Sequence, residues 1–279
     1  MIKIITDSSC NLPDELLKKH GIEVVPLSIQ FGDETYLEDV TIDRDTFYTK
    51  VEQTGIVPMT SQPSPAHFAR IYEQNYTEGH QTLVITVTSK HSGTYNSAIL
   101  AKSLVPDAVV EVWDSLSASL GAGFQVLEAL EGIRNGLNLE SVKTRLEVIR
   151  KRIHISLTPA TLRYLKMSGR VGALQSTVAT ALQLKPIIEL RDGVFELTEK
   201  IRTRNKAIQH VLDSLEEKVG SVEPINLAVV HGHALEEARE LLERAKERFN
   251  CNLIFLEEMV SSLAVHGGPG LLAVIAYRI

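Results

Sequence analysis

Five short polar clusters carry the residue types that can hold or attack a small molecule. They are TDSS (6–9), TSQPS (60–64), SKHSGTY (89–95), WDSLSASLGAG (113–123) and HGGPG (266–270). The stretch HSGTYNSA (91–98) says most. It follows the apolar run LVITVT (83–88) and precedes the helix-like run ILAKSLV (99–105). A strand, a tight turn through Ser92, Gly93 and Thr94, and then a helix is a geometry that holds a small anion. Hydroxyls, main-chain N–H groups and the helix dipole all favour negative charge there. Gly93 lets a ligand come close to the backbone. The anion could be a phosphate, the oxyanion of a reaction at Ser92, or the head of something larger.

The residues narrow these choices. No GxxxxGK[ST] sequence occurs, so no lysine is placed to reach a terminal phosphate, and GAG (121–123) lacks the third glycine of a dinucleotide fingerprint. A GxSxG elbow is absent too, although Ser92, His266 and Asp7 offer the residue types of a triad. His266 stands out among the histidines because Gly267, Gly268, Pro269 and Gly270 follow it, which predicts a tight loop open to a ligand. His231 and His233 have no companion ligands, so no metal site is expected. Lys200-Ile201-Arg202-Thr203-Arg204 and the basic run RKRIH (150–154) read as solvated surface. Arg170, between glycines in SGRVG, reads as a partner contact.

The elements that must position these clusters alternate from the start. Strands are predicted over 2–7, 22–31, 83–88 and 109–114, and helices over 12–21, 47–55, 63–79, 99–105 and 115–136. This alternation predicts an α/β fold with a parallel sheet flanked by helices. In such a sheet ligands bind beyond the carboxyl ends of the strands, where four of the five clusters fall. After about residue 150 the pattern changes. Residues 155–200 mix helix with a hairpin whose turn is Arg191-Asp192-Gly193. Strands at 225–233 and 252–259, helices at 207–219 and 233–249, and a turn leading into an apolar segment at 268–279 complete a second α/β lobe. The expected lobes are 1–155 and 156–279.

Composition sets the outer limits. The 279 residues include 29 Lys and Arg against 35 Asp and Glu, for a net charge of −6. There is no basic excess to neutralise a nucleic acid backbone. Aromatic residues make up 5%, so the core must be mainly aliphatic. Cys10 and Cys251 form no CxxC pair, which suits a reducing compartment. Asp7 ends the first apolar run early, and no segment approaches the roughly 20 apolar residues of a membrane span. A cytoplasmic, non-spanning protein is expected, with transient membrane contact left open.

Taken together, the clusters resemble the DegV family, the bacterial fatty-acid-binding proteins. The motifs run in order along nearly the whole chain: TDSSCNLP, FGDETY (31–36), TSQPSP (60–65), SKHSGTYNSA (89–98), WDSLSASLGAG, TLRYLKMSGRVG (161–172), LQLKPIIELRDG (182–193), EKIRTRNKA (199–207) and HGGPG. One departure is Gly267, where the family often has threonine after the histidine.

The resemblance implies a two-lobed α/β fold with a long-chain fatty acid between the lobes. It implies that Thr60, Ser92, Gly93 and His266 hold the carboxylate, with Ser61, Thr94 and Gly267 as secondary head-group or pocket candidates. It also implies that Arg170 contacts a partner, the ATP-binding subunit of a fatty acid kinase, which makes acyl-phosphate for phospholipid synthesis. No cofactor or metal is expected beyond the bound fatty acid, and no chemistry in this chain alone. Two other readings stay open: a serine-dependent lipid hydrolase or acyltransferase using Ser92 and His266, and a module that reports lipid status to a protein partner.

Overall fold

The computed structural model describes residues 1–170 and 184–279. Residues 171–183 lie outside the described residues, including Val171 and Gly172 of the Arg170 motif and Leu182-Gln183 of the following one. The described chain forms two compact units, Met1–Arg44 with Thr60–Lys151, and Asp45–Met59 with Arg152–Ile279. The division after the first unit falls at 151/152, and residues 45–59 join the second unit.

In the first unit, β1 (Ile2–Asp7), β2 (Glu23–Val25), β6 (Gln81–Thr86) and β7 (Val110–Asp114) form a parallel sheet in the order β2-β1-β6-β7. Alternate residues of each strand face opposite sides. Ile5, Val84, Val110 and Val112 pack with Phe68, Ile71 and Tyr72 of α3 (Pro65–Thr77) and Ala98 and Ala101 of α4 (Thr94–Lys102). On the other side α5 (Leu120–Arg134) lies against β1 and β6, where Ile4, Leu83 and Ile85 are buried. Both faces are covered, which is why these strands read as continuous apolar runs.

The predicted strand over 22–31 is two strands. Pro26 offers no N–H to a ladder, so β2 stops at Val25. The chain resumes as β3 (Ser28–Phe31), paired antiparallel with β4 (Glu34–Leu37) and joined by β5 (Met59–Ser61). The helix predicted over 115–136 begins only at Leu120. The Asp114 carboxylate accepts from Leu116 N–H and the Ser115 hydroxyl accepts from Ser117 N–H, so these side chains hold the backbone in turns instead.

The second unit is built on six strands in the order β10-β9-β8-β13-β11-β12. These are β8 (His154–Thr158), β9 (Lys185–Arg191), β10 (Val194–Ile201), β11 (Ile225–His231), β12 (Cys251–Glu258) and β13 (Leu272–Arg278). The predicted hairpin is present: Asp192 (φ 47°) and Gly193 (φ 82°) join β9 to β10 in the left-handed conformations that a two-residue turn requires. One face of the sheet packs Leu227, Val229, Leu272 and Val274 under α8 (Arg204–Val219) and α9 (Leu235–Arg248). The opposite face carries Ile155, Leu157, Ala228, Val230, Ala273 and Ile275, all buried. The unit also holds α2 (Arg44–Thr54), α7 (Arg163–Met167) and α10 (Ser261–Gly267), while α1 (Asp14–His20) and α6 (Leu139–Arg152) belong to the first unit, α6 reaching its end.

In the basic run at 150–154, Lys151 and Arg152 are exposed at the end of α6, as a solvated helix end should be, but Arg150 is half-buried. The Arg150 guanidinium lies 4.4 Å from the centre of the Trp113 ring and donates to the Asp114 carbonyl at 3.1 Å. Cys10 is fully buried in the 3-10 turn Ser8–Cys10 after β1, and burial pushes its thiol up to about 12. Only the thiolate is nucleophilic, so at pH 8 the reactive fraction is on the order of 10⁻⁴. Iodoacetamide at pH 8 is therefore expected to modify Cys251, which is half-buried, before Cys10. Peptide mass mapping should show Cys10 unmodified in the native protein and modified in urea; rapid native modification of Cys10 would show the turn to be open.

Candidate functional site

Two carboxylates fix the loop that carries Ser92. β6 lies between β1 and β7, and an aspartate ends each neighbour. Asp7 Oδ2 accepts from Val87 N–H at 2.7 Å, the first residue past β6. Its other oxygen accepts from Ser9 N–H at 3.0 Å and from the Ser9 hydroxyl at 2.5 Å. Asp114 Oδ1 accepts from Ser89 N–H at 3.1 Å, and Thr88 N–H reaches the Ser117 carbonyl at 2.8 Å. The TDSS cluster is thus a buried clasp. Ser8 takes part as well, its Oγ accepting from Leu27 N–H at 2.9 Å.

Downstream of this clasp, His91 and Ser92 N–H both turn back to the Thr88 carbonyl, and α4 begins at Thr94. The Ser92 and Thr94 hydroxyls are 2.8 Å apart, and Thr94 N–H donates to Ser92 Oγ at 3.3 Å. Thr94 is buried, while Ser92 and Gly93 are half-buried at the mouth of the turn. Gly93 lies against the end of the exposed Gln62 side chain, which a larger residue would push aside. A Cβ there would lie 2.6 Å from Nε2 and 2.8 Å from Cδ of Gln62. Gln62 follows directly on β5, which holds half-buried Thr60 and exposed Ser61. The structure therefore brings the TSQPS segment to the Ser92 turn through Gln62, a residue the sequence reading did not single out.

The second unit holds His266, Gly267 and Arg170. His266 is not in a loop. It lies in the last turn of α10, and the glycine turn is confined to residues 268–270. Gly268 (φ 71°) closes the helix, its N–H donating to the Ala264 carbonyl at 2.8 Å. A Cβ on Gly268 would fall 2.1 Å from the Tyr164 ring. Gly270 N–H donates to the Gly232 carbonyl at 2.6 Å and Gly232 N–H to the Leu271 carbonyl at 2.9 Å. A Cβ on Gly232 would meet the Gly268 carbonyl oxygen at 2.4 Å, so two backbones touch here. A Cβ on Gly267 would meet the ends of Leu271 and Met259, at 2.7 and 2.8 Å, so a threonine there needs those two chains to move. Arg170 is half-buried and donates to the Ser168 carbonyl at 2.8 Å. Among the described residues, no three His, Cys, Asp or Glu side chains are grouped to hold a metal ion, and no helix is long and apolar enough to cross a membrane.

The family model described as uncharacterised protein, DegV family, matches residues 1–278. The chain belongs to the DegV family. Protein DegV of Bacillus subtilis is 31% identical over 274 residues, covering 98% of each chain. Among solved structures, a fatty-acid-binding DegV family protein from Thermus thermophilus superposes with a TM-score of 0.91 at 32% identity, over 100% of this chain and 99% of that one. A stearic acid-binding protein from Eubacterium ventriosum superposes with a TM-score of 0.94 at 31% identity, over 100% and 98%. The α/β architecture expected from the sequence is that of these DegV structures.

Within this DegV chain, Asp7 offers a direct test of the clasp. Burial raises its pKa above the ordinary value, against the opposing effect of its hydrogen bonds from the Ser9 side chain, Val87 N–H and Ser9 N–H. A raised carboxyl pKa means that the folded chain binds the proton more tightly than the unfolded one. That contribution is complete below the unfolded pKa and is lost as pH rises through the folded pKa. Asp7→Ala strands Val87 N–H and should cost about 2–4 kcal/mol at pH 7. In urea titrations the gap from the parent protein should widen as pH falls toward 4. A gap that narrows would reverse the assigned sign.

Proposed function

We propose that this protein binds a long-chain fatty acid and holds its carboxylate with Thr60, Ser92, Gly93 and His266, with Ser61, Thr94 and Gly267 near the head group. The observation that carries the reading is the superposition of the whole chain on two proteins that bind fatty acids. Local chemistry supports it. The Ser92 turn presents a hydroxyl and main-chain donors at the start of a nine-residue helix, which favours an anion. Burial of a methylene yields about 0.8 kcal/mol, so a tail of roughly 14 methylenes contributes on the order of 11 kcal/mol before association costs. Tail burial dominates affinity, and the head-group donors offset the several kcal/mol that a buried, unpaired carboxylate would lose.

In this reading the chain is a carrier, not an enzyme. Phosphoryl transfer relies on nucleotide positioning and Mg²⁺, and the sequence holds no P-loop to bind a nucleotide. A separate ATP-dependent fatty acid kinase subunit supplies that chemistry in the cytoplasm, and Arg170 is the proposed contact with it. The acyl-phosphate formed there feeds phospholipid synthesis.

Native mass spectrometry of freshly purified protein, followed by lipid extraction, is expected to show one fatty acid per chain. Ser92→Ala should weaken palmitate binding about 10- to 100-fold, the worth of one hydrogen bond to a charged group. An empty protein that also takes up no added palmitate or oleate would defeat the carrier reading.

A further inference from the structure

Arg204 starts α8 in the stretch KIRTR, yet it is not solvated surface: its side chain is 19% exposed. Its guanidinium makes a forked pair with Glu237 of α9, Nε to Oε1 and Nη2 to Oε2, both at 3.0 Å. The same group donates from Nη1 to the Thr158 carbonyl at 3.2 Å, where β8 ends, and from Nη2 to the Gly270 carbonyl at 2.6 Å. One side chain therefore ties a helix, the end of a sheet strand and the glycine turn.

The turn it grips is the one that follows His266. Gly270 is held on its N–H side by the Gly232 carbonyl and packs so closely on Ala160 that a Cβ would lie 2.7 Å from that methyl. Gly268, two residues earlier, is covered by Tyr164. Those contacts are apolar or neutral, whereas Arg204 brings a charge-assisted bond to the carbonyl of Gly270. Glycines at 267, 268 and 270 leave the backbone few side-chain anchors of its own. Buried Ala264 and Val265 seat the body of α10, so what holds residues 268–270 from outside bears on its last turn, where His266 lies.

We propose that Arg204 is a positioning residue for His266. Glu237 orients the guanidinium, the guanidinium fixes the Gly270 carbonyl, and the fixed turn sets the last turn of α10 and the imidazole on it. Lysine cannot replace it. A single ammonium has no planar fork to hold a carboxylate and two carbonyls from different elements. The functional consequence rests on the proposed role of His266 at the carboxylate.

The test uses full-length protein with ¹³C-labelled histidine, the His266 signal being assigned with His266→Gln. Arg204→Lys is expected to move the His266 ring resonance in ligand-free protein and to weaken palmitate binding about tenfold. Glu237→Gln, which leaves the arginine in place but loosens its orientation, should move the signal in the same direction by less. Arg248→Lys, a change in another α8–α9 ion pair through Asp213 and Glu216, should leave the signal where it is. It controls for general loosening of the two helices. An unmoved His266 signal in Arg204→Lys, or a moved signal with unchanged palmitate affinity, would overturn the proposal. If Arg204→Lys fails to fold, Glu237→Gln decides by the same criterion. Failure of the parent protein to take up palmitate would count against the carrier reading instead, and the resonance would still judge Arg204.

Discussion

The hydrogen bond from Val87 N–H to the Asp7 carboxylate sets the geometry of the first unit. Parallel strands end on one edge, and whatever leaves that edge must be held without help from the ladder. Asp7 and Asp114 flank the exit of β6 and take the amides at 87 and 89. Removing both anchors would leave the loop held by the bond from Thr88 N–H to the Ser117 carbonyl and by its own helix. A carboxylate suits this task because its two oxygens accept from different segments at once, here Ser9 on one and Val87 on the other. Its charge makes each bond stronger than a neutral acceptor would.

The second unit solves the same problem by the opposite means. Around His266 the fixed points are places where a side chain is missing. Gly232 and Gly268 let two backbones meet, and Gly268 also makes room for the Tyr164 ring. Close packing of this kind transmits displacement well, because no flexible side chain lies between the parts. An aspartate clasp and a glycine clasp thus support a hydroxyl turn in one unit and an imidazole in the other.

Much of this was legible in the residues. The strand–turn–helix of 83–105 follows from an apolar run, a glycine turn and a helical run. The hairpin follows from Asp192-Gly193, whose backbone torsions few other pairs tolerate. What escaped was set partly by local features that periodicity overlooks and partly by partners distant in sequence. Pro26 divides an apolar run that hydrophobicity alone reads as one strand. His266 was expected in a loop because glycines follow it, yet Ala264 and Val265 are buried and hold the helix to Gly267. Arg150 and Arg204 look like surface cations until Trp113 and Glu237 are placed beside them. Gln62 drew no notice because nothing in TSQPS says that its amide will lie on Gly93, some thirty residues on.

The position of β13 bears on how the second unit is made. It follows every other strand of its sheet in sequence, yet it lies between β8 and β11, bonded to both. Until residues 272–278 are synthesised, β8 and β11 each lack a neighbour, and the sheet is two separate pieces. Contacts that span more than a hundred residues, such as Leu272 with Thr158, close late and slowly. A nascent chain paused before β13 would leave the apolar strand β11 with an unpaired edge, so for this unit the time spent on the ribosome is the period of greatest exposure to aggregation.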